Sequence, residues 1–255
     1  MKPLDTIRNS LELSVVRTNK PDLPDLLAHD PITDGIVHIW SARYSDLDQY
    51  HPVLSTLISP DEMPRAAGFK KNEDARRYLL RHGLLRAILG HYTHQEPATI
   101  RFVMGTTGKP DLDPGANILN IRFSLSHTDE MVGIGISRRS NIGLDIVKID
   151  SHYPFSETGA YLFSPEERRW IAQTDPEDRR VRFFRIWSLK EALLKATGDN
   201  VHMMKEAEVS GIMTGTFLDG FYPVRVRKKE MVFFINESSR RGGHHCVLAA
   251  ISAMI

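Results

Sequence analysis

This sequence of 255 residues has a single cysteine, no long apolar run and almost no net charge. The single cysteine, Cys246, excludes an internal disulfide framework and a cysteine-rich zinc site. No stretch approaches the ~18 apolar residues of a membrane helix, and the start, MKPLDTIRNS, lacks the apolar core of a secretory signal. Lys and Arg number 33 against 32 Asp and Glu, so the basic surplus of a general nucleic-acid binder is absent. We therefore expect a cytoplasmic globular protein that binds neither membrane nor nucleic acid.

Common nucleotide and hydrolase motifs are missing as well. The sequence has no dinucleotide-binding glycine fingerprint and no nucleophile elbow. Thr107-Gly108-Lys109-Pro110 predicts a turn that carries a lysine, but Pro110 stands where a phosphate-binding P-loop needs Ser or Thr. Any chemistry must therefore come from another arrangement of residues.

The chain changes character after its first 35 residues. Residues 1–35 are polar and proline-rich, and we expect them to form an N-terminal extension outside the core elements. Runs rich in β-branched and aromatic residues then predict strands at IVHIWSARY, ILNIRFSLSH, MVGIGIS, NIGLDIVKI and CVLAAIS. A helix is predicted from Glu73 to Ile88, with its end near Gly90.

The order of helix signals repeats along the chain. Ser59-Pro60-Asp61-Glu62 and Ser164-Pro165-Glu166-Glu167 both predict a capping box, and an arginine-studded helix follows each of them. We therefore predict an α+β fold of two similar halves, residues 36–145 and 146–255, related by a pseudo-twofold axis. Such a fold places a ligand cleft between the halves. Chance similarity of common capping boxes is the alternative explanation.

Two acidic residues stand among apolar neighbours. Glu191 continues the helical face of Phe184 and Trp187, and Lys195 follows one turn later. Gly198 is placed to end this helix. Asp145 interrupts the apolar strand Ile142–Val147. Structural explanations are available, namely a Glu191–Lys195 helix pair and a strand-end aspartate. Together, however, Asp145 and Glu191 predict a Mg²⁺ site that phosphate oxygens and water would complete.

Basic and hydroxyl side chains supply candidate phosphate contacts. Residues 65–90 hold seven Lys and Arg against two acids, although most of these side chains are expected on a solvated helix face. Ser124, Ser126 and His127 cluster at the end of a predicted strand. A lone histidine is more often structural than catalytic, so this cluster is only a weak signal.

Four blocks resemble the 4′-phosphopantetheinyl transferase superfamily, and within it the large pseudodimeric type that activates surfactin synthetase. In chain order they are TGKP (107–110), FSLSH (123–127), IGLD (142–145) and WSLKEALLK (187–195). The similarity covers residues 36–252 and leaves the first 35 outside. It implies the family's fold of two related α/β halves, with the active site between them. It also implies a monomer, because the two halves would form within one chain the interface that smaller relatives make between chains.

The resemblance implies transfer of the 4′-phosphopantetheine arm of coenzyme A to a serine of an apo-acyl or peptidyl carrier protein, with release of adenosine 3′,5′-bisphosphate. Asp145 and Glu191 would ligate Mg²⁺, and Lys195 would contact the diphosphate. Arg65 and His127 would hold the 3′-phosphate, with Ser126 nearby on the coenzyme. The adenine pocket would be lined by Gly108, Lys109 and Pro110. The attacking serine belongs to the partner, which explains why the chain shows no nucleophile of its own.

Two positions leave questions open. Many relatives carry an acid two residues after the strand aspartate, where this chain has Val147, so a water is expected as the third metal ligand. Glu167 or Glu191 would act as the base, although Glu167 also closes a predicted capping box. A Mg²⁺-dependent nuclease and a non-catalytic carrier-binding homologue are the alternative functions. The sequence does not identify the carrier protein.

Overall fold

The computed structural model describes residues 14–19, 31–105, 108–199, 201–213, 216–227, 229–240 and 243–254. The strands are β1 Ser14–Asn19, β2 Ile36–Arg43, β3 Phe102–Met104, β4 Pro110–Leu112, β5 Ile121–His127, β6 Met131–Arg138, β7 Ile142–Lys148, β8 Ala207–Glu208, β9 Asp219–Val226, β10 Lys229–Arg240 and β11 His244–Met254. The α-helices are α1 Tyr44–Leu47, α2 His51–Thr56, α3 Met63–Ala67, α4 Asn72–Thr93, α5 Phe155–Leu162, α6 Pro165–Ala172 and α7 Arg179–Thr197. Short 3₁₀ turns lie at Asp48–Tyr50, Pro97–Thr99, Val201–Glu206 and Ser210–Ile212.

The fold is α+β, as predicted, with two main sheets and two hydrophobic cores. One sheet has the strand order β1-β2-β6-β5, and the other has the order β7-β11-β10-β9-β8. The first core joins residues between Ile32 and Ile136 around α4, and the second joins residues between Phe163 and Val247 around α7. Each half therefore pairs one sheet with one long helix.

The predicted strands are confirmed because their apolar patterns match buried positions. β5 and β6 pair antiparallel around Thr128-Asp129-Glu130, with Ile121 opposite Arg138 and His127 opposite Val132. β7 pairs antiparallel with β11, the strand predicted near the end of the chain. The expectation that residues 1–35 lie outside the core elements is wrong in part, because β1 pairs parallel with β2 at the edge of the first sheet and Ile32 is buried in the first core. Residues 1–13 and 20–30 lie outside the described part.

The helix ends differ from the predictions in informative ways. Ser164 forms the predicted capping box with Glu167, but Ser59 to Glu62 form a turn, and α3 begins only at Met63. The α4 helix continues past Gly90 to a left-handed residue, His94, with φ of 55°. Gly90 instead lies where a Cβ would approach the Gln95 carbonyl oxygen to 2.9 Å. The α7 helix ends at Gly198, as predicted, with φ of 76°.

Within the described residues, no helix combines the length and apolar character that crossing a bilayer requires.

Candidate active site

The two sheets meet edge to edge at a seam formed by β5 and β7. Serine hydroxyls bridge this seam. Ser124 Oγ accepts a hydrogen bond from the Leu144 backbone N–H at 2.9 Å, and Ser126 Oγ accepts one from the Ile146 N–H at 3.1 Å. These side chains satisfy backbone donors that would otherwise be buried without a partner. The FSLSH block is thus the structural joint between the halves.

The absence of a side chain at Gly143 brings α7 against β7. A Cβ built on Gly143 would lie 1.9 Å from the Ala192 carbonyl oxygen and 2.6 Å from the Ala196 backbone nitrogen. No ordinary side chain fits there, because real Cβ atoms essentially never approach other atoms within 3.0 Å. This close approach places the helix face of Glu191 and Lys195 over the strand that carries Asp145.

Asp145, Glu191 and Lys195 line one cavity of about 320 Å³ at the seam, together with Ser126 and Val147. Asp145 is buried, and its Oδ1 accepts hydrogen bonds from Lys195 Nζ at 2.6 Å and from Ser126 Oγ at 3.0 Å. Lys195 Nζ also donates to the Leu144 carbonyl at 3.2 Å. The Lys195 ammonium is therefore surrounded by oxygen acceptors, and it neutralises part of the Asp145 carboxylate charge.

The Glu191 carboxylate lines the same cavity as that of Asp145 but has different hydrogen-bonding surroundings. Burial raises the pKa of Glu191; the Lys195 ammonium opposes this rise and the Asp145 carboxylate adds to it. Within the described part of the chain, no group donates a hydrogen bond to Glu191. A carboxylate with a raised pKa and free oxygens is suited to accept a proton or to bind a cation.

The donor set fits Mg²⁺ only in part. Two carboxylates supply the hard oxygen ligands that this ion prefers, and the hydrogen bond from Lys195 goes to one Asp145 oxygen, Oδ1. Among the described residues, however, no three His, Cys, Asp or Glu side chains form a group that could hold a metal ion. Val147 is part of the cavity wall and provides no ligand atom. Substrate oxygens and water would have to complete the coordination shell.

A larger cleft of about 1160 Å³ adjoins this cavity and shares His127, Glu191 and Lys195 with it. Its walls come from the start of α3, one face of α4 and the β3–β4 turn. The predicted coenzyme-binding residues that line it are Arg65, Gly108, Lys109, Pro110, His127 and Lys195. Ser126 lines the smaller cavity instead. Thr107 lies outside the described residues.

Basic groups converge at the α4 side of the cleft. The Arg65 and Arg81 guanidiniums lie over the Tyr78 ring, at 5.7 Å and 5.0 Å from its centroid. Desolvation by neighbouring groups, helped by the Arg81 charge, lowers the pKa of His127 to about 4, although the residue remains exposed where it lines the cleft. His127 is therefore neutral at pH 7. An anion bound beside it would raise its pKa and favour the protonated imidazolium.

A buried ion cluster supports that wall. The Glu62 carboxylate accepts hydrogen bonds from His82 Nδ1 at 2.8 Å and from Arg86 Nε at 2.6 Å. Burial alone would raise the pKa of Glu62, but these hydrogen bonds and the Arg86 charge lower it to about 2. Arg86 also donates to the carbonyls of Pro97 and Ile100. Glu62 also accepts a hydrogen bond from the Ser59 N–H at 3.3 Å, as a capping box would have it, but no helix begins at Pro60. Glu62 therefore anchors the turn before α3 to α4.

Glu167 lies apart from both cavities. It is fully buried, its Oε2 lies 2.6 Å from Lys190 Nζ, and its Oε1 accepts from the Val209 N–H at 3.1 Å. The Ser164 N–H completes its hydrogen bonds. These contacts all join Glu167 to other parts of the protein. Glu167 lines neither cavity, so it is not placed to take a proton from a ligand bound there.

Sequence reasoning did not single out several lining residues. Tyr78 and Trp187 line the large cleft and the small cavity, respectively, and Arg81 appeared only as one member of a basic run. Tyr78, Arg81 and His82 recur at helical spacing, so they share a face of α4. That spacing was the available signal, but it does not indicate which face of the helix meets a cleft.

Comparisons with known proteins agree on one family. The profile described as the 4′-phosphopantetheinyl transferase superfamily matches residues 141–230, and that of the 4′-phosphopantetheinyl transferase N-terminal region matches residues 40–138. The chain is 30% identical over 174 residues to the 4′-phosphopantetheinyl transferase HetI of Nostoc sp. strain PCC 7120, covering 68% of this chain and 73% of HetI.

Two further relatives are more distant. The chain is 28% identical to the 4′-phosphopantetheinyl transferase Sfp of Bacillus subtilis strain 168 over 58% of its length. It is 27% identical to the 4′-phosphopantetheinyl transferase gsp of Aneurinibacillus migulanus over 59% of its length. The matched part spans 63% and 60% of these two relatives, which is under two thirds of each.

Proposed function

Because this chain belongs to the 4′-phosphopantetheinyl transferase superfamily, we propose that it transfers the 4′-phosphopantetheine arm of coenzyme A to a serine of an apo-carrier protein. The observation that carries the proposal is that the small cavity and the large cleft adjoin and have lining residues in common. The large cleft offers Arg65, Arg81 and His127 for an anionic coenzyme, and the small cavity offers Asp145, Glu191 and Lys195 for its diphosphate.

The proposed reaction is a displacement at the phosphorus that carries pantetheine. The carrier serine Oγ forms the new P–O bond, the bond to the second phosphate breaks, and adenosine 3′,5′-bisphosphate leaves with the electron pair. Glu191 takes the serine proton, because its carboxylate lines the cavity and, among the described residues, accepts no hydrogen bond. Lys195 exchanges its contact with Asp145 for the diphosphate oxygens, where its charge opposes the charge building on the leaving group.

Asp145 and Glu191 are the residues that would hold Mg²⁺. When bound, the ion would neutralise diphosphate charge that the nearby side chains alone do not match. In this structure the positive charge beside Asp145 is the ammonium of Lys195, at 2.6 Å. The side chains of this chain therefore orient the diphosphate, and the carrier protein supplies the nucleophile.

The proposal includes the finer architecture predicted from the sequence. Two halves related by a pseudo-twofold axis are supported by one long helix and one main sheet on each side of the seam. A monomer is supported by the seam itself, because the cleft is assembled within one chain. The proposal places this monomer in the cytoplasm. The relatives compared here are all named as transferases, and nothing in the site favours the nuclease alternative.

Intact-protein mass spectrometry tests the transfer. The full-length protein is incubated with coenzyme A, Mg²⁺ and several apo-carrier proteins, and we expect at least one carrier to gain the pantetheine arm. D145N and E191Q should lower the turnover number by at least about 100-fold, while E157Q, on the exposed side of α5, should match the wild type. Modification of no carrier, or wild-type turnover in D145N, would reject the proposal.

A further inference from the structure

The β3–β4 turn of the first half reaches across the seam through one side chain. Lys109 Nζ donates hydrogen bonds to two backbone carbonyls across the seam, those of Ile142 in β7 and Lys195 in α7, both at 2.7 Å. Ile142 begins β7, and Lys195 lies in the last turn of α7. The ammonium of Lys109 is therefore committed to the protein backbone, although the residue also lines the large cleft.

The carbonyl of Lys195 needs such a donor. The last four carbonyls of an α-helix have no partner within the helix, and a cation at this end is favoured by the helix dipole. The Gly198 N–H donates to the same carbonyl, but at 3.4 Å this hydrogen bond is long and therefore weak. Lys109 thus caps α7 from outside the helix.

The first half holds the turn firmly at its base. The Phe102 and Phe123 rings pack with centroids 5.5 Å apart, and the Asp111 carboxylate accepts a hydrogen bond from Arg122. The turn itself is closed by the Gly105 N–H, which donates to the Lys109 carbonyl at 2.9 Å. An anchored turn can hold a distant backbone in place, whereas a free loop would move with it.

The two carbonyls that Lys109 binds flank the close approach of β7 and α7. Ile142 is next to Gly143, the residue without a side chain, and Lys195 carries the ammonium that meets Asp145. Any drift of the end of α7 away from β7 would therefore separate Lys195 and Glu191 from Asp145.

The geometry points to Lys109 as a positioning residue, which fixes the spacing of β7 and α7 and so holds Asp145, Glu191 and Lys195 together without touching the ligand. The expected effect of Lys109 on turnover rests on the proposed transfer reaction. The expected effect of Lys109 on the packing of α7 against β7 does not. The side chain would act through the backbone of both elements, whereas the turn would meet the coenzyme through Gly108 and Pro110.

The test compares K109M with the wild type by hydrogen exchange and by steady-state kinetics. K109M keeps the length of the side chain and removes the donors. We expect faster amide exchange in residues 142–148 and 192–199 and unchanged exchange in residues 231–237 of β10. The turnover number should fall by about tenfold or more, because small misplacements of catalytic groups are costly, while the KM for coenzyme A changes by less than about threefold. K229M, an exposed lysine at the start of β10, is the matched control.

The outcomes separate the possibilities. K109R retains a cationic donor and should restore part of the exchange protection and of the turnover number. A raised KM at an unchanged turnover number, or exchange identical to that of the wild type, would overturn the inference and make Lys109 a ligand contact or a bystander. If the wild type modifies no carrier, the proposed function fails, but the exchange comparison still decides this inference. If K109M does not fold, the same two measurements on K109Q, which has a neutral and shorter side chain, decide it.

Discussion

Replacing Gly143 with alanine should disrupt both stability and turnover, because one methyl group has no space at this position. The new Cβ would lie 1.9 Å from the Ala192 carbonyl oxygen, whereas ordinary contact begins near 3.4 Å. The α7 backbone must therefore retreat from β7 by about 1.5 Å. Backbone atoms cannot rotate away as a flexible side chain can, so we expect a loss of about 3 kcal/mol, the upper end for an overpacked core.

The same displacement should reduce activity in the molecules that still fold. Glu191 and Lys195 move with α7, while Asp145 stays on β7. A misplacement of about 1 Å can lower a rate by about 100-fold, so the turnover number of G143A should fall by that order. Urea unfolding measures the stability loss, and transfer to a carrier protein measures the turnover.

Gly211 offers a matched control for this substitution. A Cβ on Gly211 meets no other atom within 4 Å among the described residues, so G211A should stay within about 0.5 kcal/mol of the wild type. If G143A unfolds at the same urea concentration as G211A and keeps its turnover number, then the close packing of α7 on β7 does not position the site.

Three further predictions concern buried or enclosed charges. Glu62, with a pKa lowered to about 2 from 4.5, should contribute about 3 kcal/mol that is present above pH 4.5 and lost as the pH falls toward 2. E62Q should therefore destabilise the protein more at pH 7 than at pH 3 in urea unfolding, and an equal effect at both pH values would contradict this account. Lys190 and Glu167 are both fully buried, so K190M should cost about 3–5 kcal/mol by stranding the Glu167 charge. The double variant K190M/E167Q should recover part of that loss, and simple additivity of the two single variants would argue against the pair. Coenzyme A binding at pH 6 should take up protons, because a phosphate beside His127 raises its pKa from about 4; calorimetry in buffers of different ionisation enthalpy should show this uptake in the wild type and not in H127N.

Local patterns in the sequence predicted most of the elements around the site. The strands β2, β5, β6 and β7 were found from β-branched runs, since each of them buries most of its length. The end of α7 at Gly198 and the cap at Ser164 were found from residue types that act within a few positions. Such signals are reliable because both partners of the interaction lie close together in the chain.

The same kind of signal failed where a distant residue competed for a side chain. Glu62 was expected to close a helix cap, but Arg86 and His82 lie within hydrogen-bond distance in the fold, and the ion pair with Arg86 is the stronger interaction. Gly90 was expected to end α4, but its role is to admit the chain that follows the helix. Glu167 was a candidate base, but its buried pairing with Lys190 could be recognised only from the structure.

The sequence by itself determined the family resemblance, the individual strands and helices, and the identity of the acids and the lysine that the proposed chemistry needs. The tertiary structure decided which of them meet. Asp145 and Lys195 stand 50 positions apart in the chain, and their atoms lie 2.6 Å apart because Gly143 lets a helix touch a strand. The ammonium of Lys109 donates hydrogen bonds to that strand and that helix from the opposite side of the seam. Contacts of this kind depend on the packing of whole elements in three dimensions, which spacing along the chain does not record.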